Sequence, residues 1–252
     1  MREELNQQSK IYDEGMKYAK KHEYELAIET LIPLTKKGKY INQANCNIGV
    51  CYERLKDYEN AKKFYMASNN DIAKHNVLIL FDNEQVVFTN EEYFEECDYL
   101  IKRHNQFGYL YLSYIHQNDK RGVEDKEKAF NLLLDGLENC PKCERLVFEI
   151  AFLLAGGCGC KKDHYKSHIL YRTLLEGNNV VAKYNYAEQC LFGWGCKKDV
   201  DEAIKYFTIA GEKNYKDAIS YLIKIYTDKD EGHADKEKAL YWQTKLDRLG
   251  GK

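Results

Sequence analysis

The strongest constraint on this chain is a short string that recurs unchanged. Gly-Cys-Lys-Lys-Asp occupies residues 159–163 and again 195–199, an offset of 36 residues. Each copy sits in a longer repeat, GCGCKKDHYKSHILY from Gly157 and GWGCKKDVDEAIKYF from Gly193. Four residues after each Asp stands a small residue, Ser167 or Ala203, before an apolar or aromatic pair. Looser copies run from Gly122 to Leu133 and from Gly232 to Trp242. A fixed period of this size belongs to stacked supersecondary units, none of which buries its apolar face alone.

Within that frame, composition excludes several classes. Charged residues make up 31% of the 252, with a formal net charge of −2, so no global field draws the chain to nucleic acid or a membrane surface. Only Pro33 and Pro141 interrupt it, and no Gly/Ser/Pro-rich linker divides it, so one continuous body over 1–252 is expected. The polar start MREELNQQSK lacks the apolar core of a secretory signal. No window approaches the ~18 apolar residues of a membrane span. A cytoplasmic setting is therefore expected, and nine cysteines there should be reduced thiols, their odd number fitting a closed disulfide framework poorly.

Helical spacing runs throughout. Ile11, Gly15 and Tyr18 share one face and Ala27, Leu31 and Leu34 another, about a turn at 21–23. Gly49, Tyr52, Ala61 and Tyr65 repeat the scheme 34 residues later, about a turn at 56–57. Gly or Ala belongs where two helices of a hairpin touch, because a larger side chain would hold them apart. The small position continues as Cys97, Ala129, Ser167, Ala203 and Ala239, in steps of 34, 36, 32, 38, 36 and 36 from Ala27. Seven helical hairpins follow.

The early pattern resembles the tetratricopeptide repeat: large apolar, Gly or Ala, Tyr, then Ala, aromatic, Ala. From Gly122 the chain is similar to the Sel-one-like repeat, with its Gly-x-Gly loop and following Asp. The match is fullest where Ala182, Ala187, Gly193, Gly195, Asp199, Ala203, Tyr206, Phe207 and Ala210 take the signature positions. The resemblance implies an all-α fold, a right-handed α-solenoid of about seven antiparallel helix-turn-helix repeats. Tetratricopeptide-like hairpins are expected over 8–70, an irregular repeat over 71–106 and Sel-one-like repeats over 107–252, with a seam at 77–90.

Candidate chemistry is sparse. Cys140, Cys143, Cys158 and Cys160 approach a zinc-ribbon spacing. A helix of about 13 residues between Cys143 and Cys158, at 1.5 Å per residue, would separate the pairs by about 20 Å, too far for one ion. Cys158, Cys160 and Cys196 stand on equivalent turns with His164 near. Cys160 and His164 form the obvious nucleophile–base pair, but nothing supplies an orienting group or oxyanion hole. The run from Gly156 to Gly159 lacks the Lys-Ser/Thr of a phosphate loop. No catalytic residue, metal or other cofactor is expected, and a thiol-metal or redox module remains an alternative only through cysteine density.

The remaining candidates concern binding. Lys161, Lys162, Lys197 and Lys198 lie on equivalent turns and form a basic edge suited to an acidic partner. In stacks of the resembled kind the first helices line a concave groove. The resemblance thereby singles out Tyr12 and Met16, Val50 and Arg54, Tyr114, Phe148 and Phe152, and Tyr184 and Glu188. Asn47 matches the clamp that some tetratricopeptide domains place on chaperone C-termini, but its basic companions are missing, so that function is not expected. The leading expectation is a non-catalytic adaptor, monomeric or weakly dimeric, holding a protein or peptide in the groove. A regulatory subunit contacting an enzyme through the lysine edge is the alternative, and nucleic acid is disfavoured.

Overall fold

Each Gly-Cys-Lys-Lys-Asp string joins a helix stop to a helix start. Gly157 and Gly193 close the preceding helices in the left-handed conformation, at φ 74° and 71°, which a residue without Cβ adopts freely. Gly159 and Gly195, two residues on, also have positive φ. A Cβ on them would lie 1.8 Å from the Lys126 carbonyl oxygen and 2.1 Å from that of His164. Each turn thus crosses the start of the previous hairpin's second helix so closely that only glycine fits. Asp163 and Asp199 then cap the next helix, accepting the backbone N–H groups of Lys166 and Glu202 at 2.9 Å. Their own N–H groups donate back to the carbonyls of Leu154 and Cys190, and Asp235 repeats that bond with Tyr226, each at 2.9 Å.

The computed structural model describes residues 2–118, 122–228 and 232–250. Among these are fourteen α-helices and no strand. The chain forms two compact units, 1–123 and 124–252.

The first unit contains α1 (Arg2–Lys20), α2 (Tyr24–Leu31), α3 (Ile41–Arg54), α4 (Tyr58–Met66), α5 (Asp71–Asp82), α6 (Asn90–Ile101) and α7 (Gln106–Gln117). A 3₁₀ turn, Ile32–Thr35, extends α2 and takes Pro33 in its first turn. Gly15 and Gly49 stand where helices meet: a Cβ would lie 2.6 Å from Leu31 Cγ in one hairpin and 2.5 Å from Tyr65 Cδ1 in the next. Ala27, Ala61 and Cys97 are fully buried. The third hairpin, without the Gly/Ala signature in its first helix, is held partly by polar contacts. Thr89 and Glu92 form a reciprocal capping box on α6. Lys74 Nζ and Glu96 make a buried ion pair at 2.9 Å, and Lys74 also donates to the Met66 carbonyl.

The second unit contains α8 (Lys126–Asn139), α9 (Glu144–Gly156), α10 (His164–Thr173), α11 (Val180–Phe192), α12 (Val200–Glu212), α13 (Lys216–Thr227) and α14 (Lys236–Gly250). Its core gathers Ala151, Tyr171, Ala187, Ala203, Phe207 and Trp242. Ser167 keeps the small position by donating its buried hydroxyl to the Ala151 carbonyl at 2.8 Å. The last helix exposes Leu240 and Tyr241. Gly250 is still helical.

The sequence places a seam at 77–90, which falls inside the first unit; the boundary between units is at Val123–Glu124. It divides the fourth expected hairpin, because α7 packs on α6 while α8 packs on α9. No described helix is long and apolar enough to cross a membrane.

Candidate functional site

In the second unit the alternation of buried and exposed residues leaves an aromatic cleft. On α9, Ala151 and Leu153 are buried, so Phe152 between them points outward and is 54% exposed. Phe192 ends α11 and Trp194 fills the gap between Gly193 and Gly195; these are 44% and 42% exposed. The Trp194 ring stacks on Phe192 and His164 at centroid distances of 4.9 and 5.6 Å. Phe152, His164 and Trp194 border a cleft of ≈ 350 Å³ shared with Lys162, Asn185, Glu188 and Gln189, and Phe192 packs on Trp194 beside it.

Glu188 supplies the cleft's one carboxylate and is held by two phenols. Tyr221 Oη donates to its Oε1 at 2.8 Å and Tyr184 Oη at 3.3 Å. Burial, followed by its own bond to Glu188, pushes the Tyr221 phenol up to about 12, so it stays a donor. Asn185 Nδ2 donates to Tyr171 Oη at 2.9 Å behind it. Burial, then the Lys162 charge, holds His164 below its ordinary value, and its imidazole is neutral near pH 7. The arrangement offers flat apolar surface around one fixed negative charge, with an exposed lysine at the rim. That suits capture of a side chain more than bond making.

The Cys160–His164 pair does not form a nucleophile and base. The Cys160 thiol donates to the Leu153 carbonyl at 3.6 Å, and burial pushes its pKa up, the reverse of an activated thiol. All nine cysteines are free thiols. Cys143 precedes α9 and Cys158 follows it, so the zinc-ribbon set is split across that helix.

The expected groove residues fall into separate clefts. Met16, Val50 and Arg54 line one of ≈ 410 Å³ in the first unit, with Asn47. Tyr12 is occupied internally: it stacks on Tyr40 at 4.7 Å and accepts from Asn47 Nδ2 at 2.9 Å. Tyr114 lies with Phe81 and Tyr93 around a hollow of ≈ 300 Å³. In the second unit Phe152 and Glu188 come together, whereas Phe148 and Tyr184 are half-buried against the core. Phe148 leans on Tyr171 at 5.9 Å, and Tyr184 on Tyr215 at 4.9 Å.

The four turn lysines differ in what they border. Lys161, Lys162, Lys197 and Lys198 are all exposed. Lys161 and Lys162 border a second, wider cleft of ≈ 850 Å³ with Lys166, Leu134 and Ile169. Lys162 touches both clefts of this unit.

Counting along the first helices finds Phe152 and Glu188 but misses Trp194, Phe192 and His164. Trp194 carried a signal: it is one of two tryptophans in the chain and stands in a turn, where no core position calls for it.

No protein-family model and no curated protein matches the chain. Solved structures do. The crystal structure of a Sel1 repeat protein from Oxalobacter formigenes superposes with a TM-score of 0.70 at 18% identity, covering 94% of this chain and 99% of that one. The crystal structure of c5321, a protective antigen present in uropathogenic Escherichia coli strains and displaying an SLR fold, gives 0.78 at 20% identity over 98% of this chain. The chain spans about half, 55%, of that antigen. At such identities the likeness establishes the fold, a Sel1-like helical-repeat solenoid.

Proposed function

We propose that this chain is a non-catalytic adaptor that holds a segment of a partner protein in the aromatic cleft of its second unit. The observation that carries this reading is the pairing of exposed Phe152 and Trp194 with a carboxylate that two tyrosines hold in place. Large rings bring contact area at small entropic cost, and a preset carboxylate fixes the register of a bound segment. A cleft of ≈ 350 Å³ takes one or two apolar side chains rather than a folded surface. Helical-repeat scaffolds of this fold are suited to such work, because their stacked units offer extended binding surface.

A photoreactive phenylalanine analogue at Phe152 should cross-link a bound partner, while the same analogue at Lys197 should not. Cross-linking at position 197 alone would move the interface to the turn edge. That second reading has its own support in the wider cleft, where Lys161, Lys162 and Lys166 border the exposed Leu134 and Ile169. A partner there would be an acidic segment with an apolar side chain, presented by an enzyme that this chain regulates.

A further inference from the structure

We propose that His168, Cys190 and Cys196 form a binding site for one zinc-class metal ion. They come from three segments of the second unit: α10, the last turn of α11, and the turn that follows it. Their donor atoms all lie within 4.8 Å of one another. Tetrahedral zinc, with sulfur at about 2.3 Å and nitrogen at about 2.0–2.1 Å, places donor pairs roughly 3.5–3.8 Å apart. A contraction of about 1 Å closes the site, and Cys196, half-buried on a turn, has room to supply it.

The imidazole is positioned for this role. His168 Nδ1 is buried with no hydrogen-bond partner, and its ring is held against Tyr186 at 4.7 Å. A buried ring nitrogen without a partner is costly, and a metal bond would satisfy it. Gln189 presents a second buried atom without a partner, Oε1. Such an acceptor can receive a hydrogen bond from a water in the fourth position, which three protein ligands leave open.

Packing does not explain the trio. One repeat earlier and one later, the position of His168 holds Phe130 and Ile204, that of Cys190 holds Leu154 and Tyr226, and that of Cys196 holds Cys160 and Gly232. Apolar residues serve the first two positions elsewhere, and only this set of the three carries a ligand type at every position. Charge also balances. Two thiols become thiolates as the dication enters, their protons leave to solvent, and with a neutral imidazole the filled site has no net charge. In the metal-free form Cys196 donates to the Gln189 carbonyl at 3.5 Å. The site differs from the set that the sequence brings to mind, Cys158, Cys160 and Cys196 with His164, by joining one turn cysteine to residues of α10 and α11.

The test is a Co²⁺ titration of the fully reduced protein. One equivalent should give tetrahedral visible bands and thiolate-to-cobalt charge transfer, both erased by stoichiometric Zn²⁺. Cys196→Ser and His168→Gln should each weaken binding on the order of 100-fold or more, above the range for losing an outer partner, with helical circular dichroism retained. Replacing Cys140, Cys143, Cys158 and Cys160 together by Ser should leave it unchanged. In the wild-type chain, Zn²⁺ should protect Cys196 but not Cys158 from alkylation, a readout that needs no variant. Absence of the bands, binding that survives Cys196→Ser, or protection centred on Cys158 and Cys160 would each overturn the proposal.

Discussion

Gly195→Ala isolates the geometric demand that makes the repeat recur. Gly195 has φ +76°, and an added Cβ would sit 2.1 Å from the His164 carbonyl oxygen and 2.6 Å from the Tyr165 nitrogen. Both atoms are backbone at the start of α10, so neither yields by a rotamer change. Gly232 is the control: its φ is also +76°, and nothing lies within 4 Å of its added Cβ. Left-handed backbone costs a residue with a Cβ about 1–2 kcal/mol, offset by about 0.4–1 kcal/mol from stiffening the unfolded chain. Gly232→Ala should therefore destabilise by about 1 kcal/mol or less. Gly195→Ala adds the displacement of α10 against the turn, about 1–3 kcal/mol, for a total of about 2–4 kcal/mol. At roughly 2–4 °C per kcal/mol, its thermal midpoint should fall by about 5–15 °C, against a few degrees for the control. Melts followed by far-ultraviolet circular dichroism decide it. Equal midpoints for the two variants would refute the close crossing of turn and helix.

Other perturbations probe the helix contacts and caps. Ala203 is fully buried where α12 meets α11, so Ala203→Leu should cost about 1–3 kcal/mol by overpacking; an unchanged thermal midpoint would mean the repeat register is wrong. Asp163 and Asp235 are held below the ordinary carboxylate value of 3.8, chiefly by backbone N–H groups at their caps. A depressed acid contributes stability that is full above its unfolded value and is lost as pH falls through the lower folded value. Asp163→Asn keeps a cap but removes that titration, so its acid-denaturation limb below pH 3.8 should flatten relative to wild type while stability at neutral pH is retained; identical acid limbs would contradict the cap's role.

The repeat and its caps were legible because their causes are local. Asp163 and Asp199 cap helices through a bond to a residue three positions on. Gly15, Gly49 and the run of small residues from Ala27 to Ala239 mark places where helices touch, and size alone discloses them. The division at Val123–Glu124 was hidden, since α8 could pack on either neighbour and no composition change marks the choice. The cleft was half legible. Phe152 and Glu188 follow from helical counting, but Trp194 joins them through a turn held by two left-handed glycines. The same counting gave Phe148 and Tyr184, whose rings the neighbouring Tyr171, Tyr215 and Tyr221 draw inward. His168, Cys190 and Cys196 match no ligand spacing, because two helices and a turn, rather than one loop, bring them together.

The adaptor reading is tested most directly by affinity. Peptides selected from a random library on the wild-type protein should be measured against two variants by fluorescence polarisation. Phe152→Ala with Trp194→Ala removes exposed rings and little core packing, so circular dichroism should be unchanged. Losing such anchors costs about 2 kcal/mol or more, which weakens binding about 30-fold or beyond. Reversal of Lys161, Lys162, Lys197 and Lys198 to Glu should shift the affinity by about threefold at most, as rim charges do. The contradicting result is a selected peptide that still binds the aromatic variant and is lost when the four lysines are reversed.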